Sequence, residues 1–162
     1  MNTRRGLIAM LTAAGLVACS AAPPDPLVGA WHGKVQFKSG AFAAIQDLEF
    51  MYVFNAGGTL TESSNYDGSP PVPPAYGVWH GVGPREYEAH YEYFSTKPPP
   101  FLEDLLKGGG WGPSGHGRLV ERIAVAADGN SFTSTIRYDA FDKSGKTLES
   151  GTLAEGKSER IR

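Results

Sequence analysis

The stretch Tyr87-Glu88-Ala89-His90-Tyr91-Glu92-Tyr93, residues 87–93, alternates between aromatic or small side chains and polar ones at every position. Successive side chains of a β-strand point to opposite faces of the sheet. Tyr87, Ala89, Tyr91 and Tyr93 therefore share one face, and the polar residues share the other. This pattern predicts a strand with one buried face and one solvated face.

The same kind of segment recurs along the chain from Leu27 onward. Segments with alternation or with β-branched and aromatic residues are separated by Gly, Asn, Asp and Pro, at the spacing typical of all-β barrels and sandwiches. Eight strands are predicted, with an extension of the last one through Ile161; they lie near residues 29–38, 44–54, 59–66, 75–82, 86–95, 117–127, 131–141 and 146–155.

Short turns join most of these strands. Residues 55–58, 127–130 and 142–145 each contain Gly together with Asn or Asp, which tolerate the positive φ angles that a hairpin needs, and residues 82–85 form a fourth turn. Consecutive hairpins make antiparallel neighbours, and a closed sheet has no exposed edges. The fold class predicted is all-β: an antiparallel, eight-stranded, up-and-down barrel that can hold one small ligand.

Two segments interrupt the strand pattern. Residues 67–74 carry four prolines and predict a surface loop, because proline cannot donate a ladder hydrogen bond. Residues 101–107 follow three prolines and precede three glycines, which predicts one short helix in a loop. Its apolar side chains, Phe101, Leu105 and Leu106 among them, are expected to rest on the barrel, either as a lid over one mouth or as a peripheral packing element.

The N-terminal residues have the organisation of an export signal. Arg4 and Arg5 precede an uncharged apolar run, residues 6–17, that is too short to span a bilayer, and Leu16-Val17-Ala18-Cys19 follows. This run resembles the lipobox of bacterial lipoproteins, a resemblance that implies lipidation of Cys19 and attachment to a membrane. The alternative is an ordinary secretory signal that is cleaved after Ala21 or Ala22.

The domain boundaries follow from the signal. Residues 1–18 are assigned to the signal peptide, residues 19–26 to a Pro-rich tether and residues 27–162 to the barrel domain. Serine rather than aspartate follows Cys19. In the lipoproteins that this signal resembles, that residue favours sorting to the outer membrane, so the predicted location is the periplasmic face of the outer membrane of a bacterial envelope. The paired arginines also resemble a twin-arginine export signal.

The charge balance limits the choice of partners. Loss of residues 1–18 leaves 13 Lys and Arg against 17 Asp and Glu, with no basic cluster, which argues against a nucleic-acid partner. Cys19 is the only cysteine, so no intramolecular disulfide can form and the fold depends on its core. The 3 Trp, 7 Tyr and 8 Phe residues can supply that core.

Gly29-Ala30-Trp31 opens the first strand, and Arg160 lies near the end of the last one. A Gly-x-Trp on the first strand with a late arginine resembles the calycin families, lipocalins and avidins among them. That resemblance implies that Arg160 stacks over Trp31 and seals one end of the barrel. The allene oxide cyclase barrels are a more distant comparison, and they imply an enzymatic alternative.

No catalytic motif is recognisable in the sequence. The four histidines lack zinc-motif spacing, and the glycine-rich run at 108–117 lacks the Lys-Ser/Thr of a phosphate-binding loop, so no metal site and no cofactor are predicted. Glu88 and Glu92 are expected on the outer face. The lack of an acid/base pair favours binding over catalysis.

Aromatic side chains are the remaining candidates for function, either as core or as the wall of an apolar pocket. The expected role is a membrane-tethered, non-catalytic barrel that binds a small apolar or amphipathic molecule. The alternatives are a cyclase or isomerase that uses the barrel cavity, and a filled barrel with a structural role. The candidate ligand-binding residues are Trp79, Tyr87, Tyr91, Tyr93, Phe101 and Trp111.

Overall fold

A computed structural model of the chain describes residues 25–66 and 73–162. Cys19, the signal peptide and most of the tether lie outside these residues, as do residues 67–72 of the predicted proline loop. The described part contains one helical turn, α1 (Glu103–Leu106), and eight strands: β1 (Gly29–Phe37), β2 (Glu49–Phe54), β3 (Thr59–Ser64), β4 (Ala75–Gly83), β5 (Glu86–Lys97), β6 (Gly112–Val125), β7 (Ser131–Asp142) and β8 (Thr147–Arg160).

The strands form one closed barrel in chain order, and every neighbouring pair is antiparallel. β1 pairs with β8 as well as with β2, with Trp31 opposite Arg160, so the sheet has no free edge. The predicted up-and-down eight-stranded barrel is confirmed. Gly58, Gly129 and Gly145 adopt φ angles between 70° and 84° in the predicted hairpin turns, where a side chain would be strained.

Two strands begin more than one residue away from the predicted position. β2 begins at Glu49 instead of residue 44, because residues 38–48 form a loop that packs Phe42, Ile45 and Leu48 against the core. β6 begins at Gly112 instead of residue 117, within the glycine-rich run at 108–117. Gly117 can lie in this strand because its missing side chain leaves room for the ring of Tyr93, which a Cβ atom would meet at 2.4 Å.

One end of the barrel is closed by aromatic packing. Trp31 is fully buried, its indole N–H donates to the carbonyl of Leu27 at 2.8 Å, and its ring meets Phe132 edge-on at 5.0 Å. The guanidinium carbon of Arg160 lies 4.2 Å from the centre of the Trp31 ring. Arg160 also donates to the carbonyls of Pro26, Val28 and Gly129, which fixes the incoming chain across this end.

The segment between β5 and β6 does not pack as the sequence suggested. The short helix is present, but Phe101 is 70% exposed and Leu106 is 90% exposed, and none of its four residues is buried. The expectation that Phe101 and Leu106 rest on the barrel is therefore wrong, and Leu105 is only half-buried. β5 and β6 stay paired out to Lys97 and Gly112, and the helix in the connection between them has a single turn, which is too short to be stable on its own.

In the described part of the chain, no helix has the length and apolar character needed to cross a membrane.

Candidate ligand-binding cavity

A cavity of about 230 Å³ lies at the barrel end opposite Trp31. It reaches the protein surface, because its wall includes Tyr66 and the largely exposed Phe94. The wall is mostly aromatic and aliphatic; its residues are Phe37, Phe42, Leu48, Phe50, Glu62, Ser64, Tyr66, Pro73, Tyr93, Phe94, Ser95, Leu119 and Tyr138. An apolar cavity with a few polar groups is typical of a small-molecule site.

Strand alternation and one loop build this wall. Phe37 ends β1, Phe50 lies near the start of β2, and the inward side chains of β5 and β7 supply Tyr93 and Tyr138. Phe42 comes from the loop after β1, and its ring meets both Phe37 at 5.3 Å and Tyr138 at 5.4 Å. The loop therefore narrows the cavity with an aromatic side chain.

Two tyrosine hydroxyls form a polar site in this otherwise mainly apolar wall. The rings of Tyr93 and Tyr138 stack with an interplanar angle of 9°, and their hydroxyl oxygens are 3.0 Å apart. Burial raises the pKa of both phenols. Both hydroxyls therefore stay neutral at physiological pH and act as hydrogen-bonding groups.

The second polar group is Glu62, which projects inward from β3 together with Leu60. Its side chain lies opposite Tyr52 of β2 and Ala75 of β4 and is only 5% exposed. Within residues 25–66 and 73–162, its Oε1 atom has no hydrogen-bond partner. Burial, reinforced by the nearby Glu121, raises the pKa of Glu62 to about 8.

Glu121 is the second acid inside the barrel. It is fully buried and interrupts the inward apolar series of β6, between Leu119 and Ile123. Its Oε1 accepts from the Tyr52 hydroxyl at 3.3 Å and its Oε2 from the Tyr91 hydroxyl at 2.7 Å. Burial raises the pKa of Glu121, while these hydrogen bonds oppose that shift by stabilising its carboxylate.

The sequence candidates are distributed over the barrel. Tyr93 lines the cavity, and Tyr91 lies deeper, bonded to Glu121. Trp79 and Tyr87 pack together near the closed end, where the Tyr87 hydroxyl donates to Asp25 at 2.7 Å. Phe101 and Trp111 belong to the loop between β5 and β6 and are not among the residues of the described cavity wall. Trp31 and Arg160 are brought together at the closed end.

The expected outer-face position of the β5 acids is confirmed. Glu88 accepts from His90 at 2.8 Å and pairs with Arg122 at 2.9 Å, and Glu92 pairs with Arg118 at 2.7 Å. Among the described residues, no group of three His, Cys, Asp or Glu side chains is arranged to hold a metal ion.

Sequence reasoning missed the two acids that matter for the cavity. Both follow an inward-facing leucine by two positions, Leu60 before Glu62 and Leu119 before Glu121. An acid in phase with buried apolar residues is the signal that could have found them. Tyr138, two residues after Ile136 on β7, carries the same kind of signal.

Comparison of the chain with protein-family models, with curated proteins and with solved structures finds no match in any of the three.

Proposed function

We propose that this chain is an envelope lipoprotein, tethered through a lipid on Cys19, whose barrel binds a small and mainly apolar molecule without transforming it. The observation that carries the binding role is the aromatic cavity of about 230 Å³ with Glu62 in its wall. Such a volume accommodates a molecule of about one or two rings or a short branched chain.

The lipobox-like run and the position of the tether support the location. Asp25 lies at the closed end, where its carboxylate accepts from Tyr87, so the chain enters the barrel on the side opposite the cavity. Five residues, 20–24, lie between Cys19 and Asp25, and the six steps from one Cα atom to the next reach at most about 20 Å. Under this proposal the cavity opens away from the anchoring membrane, and its ligand comes from the aqueous side.

Native mass spectrometry of the full-length protein purified from its own envelope tests the binding role. A co-purifying small molecule is expected, and it should be absent from Ser64→Phe, which places a ring in the cavity wall. Ser63→Phe, one residue away on the exposed face of β3, is the matched control and should retain the molecule. Equal ligand occupancy in both variants would contradict the assignment of this cavity.

Glu62 also favours a second candidate function, that of an isomerase or cyclase. A buried carboxyl that is protonated at neutral pH can donate a proton or a hydrogen bond to a bound carbonyl or epoxide oxygen. The co-purified molecule distinguishes the two functions. If the wild-type protein converts it to an isomer on incubation and Glu62→Gln does not, the barrel is an enzyme; unchanged recovery from both supports binding.

A further inference from the structure

Among the described residues, the barrel interior contains two acidic side chains and no matching base. Glu62 is 5% exposed and Glu121 is fully buried. The ion pairs found within residues 25–66 and 73–162 involve outer-face or loop residues, and neither glutamate takes part in one. Buried charges in proteins are normally paired or are neutralised by protonation, so an acidic interior without a basic partner can accept a cation in exchange for a proton.

The two glutamates differ in what they can still bind. Both carboxylate oxygens of Glu121 are engaged by tyrosine hydroxyls, those of Tyr52 and Tyr91. Glu62 lines the cavity, and its Oε1 has no partner in the described chain. Glu62 is therefore the acid that is available to a ligand.

The cavity wall around Glu62 suits a positive charge as well. The rings of Phe37, Phe42, Phe50, Tyr93 and Tyr138 all contribute to it. The face of an aromatic ring carries negative electrostatic potential and attracts cations, most strongly where water is excluded. No Lys, Arg or His belongs to the described wall, so a ligand cation would meet no repulsion there.

We propose that the cavity selects small molecules with an apolar body and a protonated aliphatic amine, whose ammonium group binds the carboxylate of Glu62 among the aromatic rings. This inference rests on the proposed binding function and specifies its ligand class. A carboxylic acid of the same size would add a third acid to the interior and is excluded. A neutral alcohol fills the same space without the charge interaction.

Binding of the amine is coupled to a proton. At pH 7 Glu62 is mostly protonated, because its pKa is about 8, so an incoming ammonium ion displaces this proton to solvent and leaves a carboxylate–ammonium pair. The titratable groups that face Glu62 are Glu121 on β6, Tyr52 on β2, and Tyr91 and Tyr93 on β5. The raised pKa values of these tyrosines keep them neutral below pH 9, so only the two carboxyls titrate in this range.

Amine binding should weaken as the pH falls. The ionised form of Glu62 binds the ammonium, so affinity falls by up to tenfold for each pH unit below 8 and levels off above 8. From pH 8 to pH 6 the dissociation constant of the amine should rise about 50-fold. The dissociation constant of a neutral alcohol should not rise in this way.

Calorimetric titration of the full-length protein in lipid nanodiscs tests the inference with 2-phenylethylamine, 2-phenylethanol and 3-phenylpropanoate. The amine should bind at least tenfold more tightly than the alcohol at pH 8, and the acid most weakly. Glu62→Gln should remove the preference for the amine and its pH dependence while retaining alcohol binding. Glu92→Gln, a surface carboxylate paired with Arg118, is the control and should change none of the three affinities.

Two outcomes overturn the inference in different ways. In the first, the alcohol binds as tightly as the amine at every pH and binds Glu62→Gln with the same affinity. The cavity would then not distinguish ligands by charge, so the proposed binding function would be retained and the preference for amines would be refuted. Failure of all three probes to bind, together with the absence of any co-purified molecule from the wild-type protein, would remove the binding function itself. If Glu62→Gln does not fold, amine binding to the wild-type protein still tests the inference, because a dissociation constant that does not rise from pH 8 to pH 6 would overturn it.

Discussion

Replacement of Glu62 by Gln should stabilise the barrel, and the gain should depend on pH. Glu62 titrates near 4.5 in an unfolded chain and near 8 in the barrel, where burial and Glu121 disfavour its charge. Between these two pH values the unfolded state releases the proton and the folded state keeps it. Raising the pH therefore favours unfolding, by about 1.4 kcal/mol per pH unit.

The interval between the two pKa values, 4.5 and about 8, sets the size of the stability change. Relative to pH 4.5, the wild-type protein should lose about 3 kcal/mol of stability at pH 7 through Glu62, and about 4 kcal/mol above pH 8, where the loss levels off. Glutamine has nearly the same volume and does not titrate. The two proteins should therefore be about equally stable at pH 4.5, and Glu62→Gln should be the more stable by these amounts at higher pH.

Urea denaturation at several pH values from 4.5 to 9, followed by tryptophan fluorescence, measures the difference between the two proteins. Glu92→Gln controls for the loss of a negative charge, because Glu92 lies on the outer surface, and its effect should stay below about 1 kcal/mol at every pH. A constant difference between Glu62→Gln and wild type from pH 5 to pH 8 would show that Glu62 is not a buried acid with a raised pKa. Glu62 could then not serve as the polar group that anchors a ligand in the cavity.

Three further predictions concern other parts of the chain. Trp31→Ala should destabilise the barrel by about 3–5 kcal/mol, because it leaves a cavity beneath Arg160 and removes the hydrogen bond to Leu27; a loss under about 1 kcal/mol in chemical denaturation would contradict the packing of the closed end. Cys19→Ser should abolish membrane association and leave the barrel folded; incorporation of a fatty-acid analogue into this variant, or unchanged membrane fractionation, would argue against lipidation. Replacement of residues 101–107 by a Gly/Ser linker should change stability by less than about 0.5 kcal/mol and probe binding by less than twofold, because Phe101 and Leu106 are exposed; unfolding of this variant, followed by circular dichroism, would show that the segment belongs to the core.

The strand pattern was enough to predict the barrel. Alternation such as that of residues 87–93 has a period of two, which assigns each side chain to a face without knowledge of the neighbouring strand. Gly-containing turns such as residues 55–58 then indicate antiparallel neighbours, because so short a connection permits no other pairing. The helix at residues 103–106 was predicted from its flanking prolines and glycines, but its packing was not, because a local signal does not say what lies opposite an apolar face.

The cavity depended on contacts between residues far apart in the chain. Of the six candidate aromatic residues, Tyr93 lies in its wall, while Trp79 and Tyr87 pack near the other end. Alternation separates inside from outside but does not say how far along the barrel a side chain lies, which depends on strand register. Phe42 and Tyr138 illustrate this. Phe42 lies in the loop at residues 38–48, part of which was predicted as strand, and its ring contacts that of Tyr138, 96 positions further along the chain.

The sequence by itself determined the fold class, the strand order, the separation of inner and outer faces, and the expectation of a lipid anchor at Cys19, because each of these depends on local chemistry or on a period along the chain. Tertiary structure alone decided that Glu62 and Glu121 share one barrel interior, that tyrosines engage Glu121, and that Oε1 of Glu62 has no partner among the described residues. The physical reason is that burial, pKa and hydrogen-bond satisfaction are set by neighbours in space. Glu62 and Glu121 are 59 residues apart in the chain, and only closure of the barrel brings them close enough to interact electrostatically.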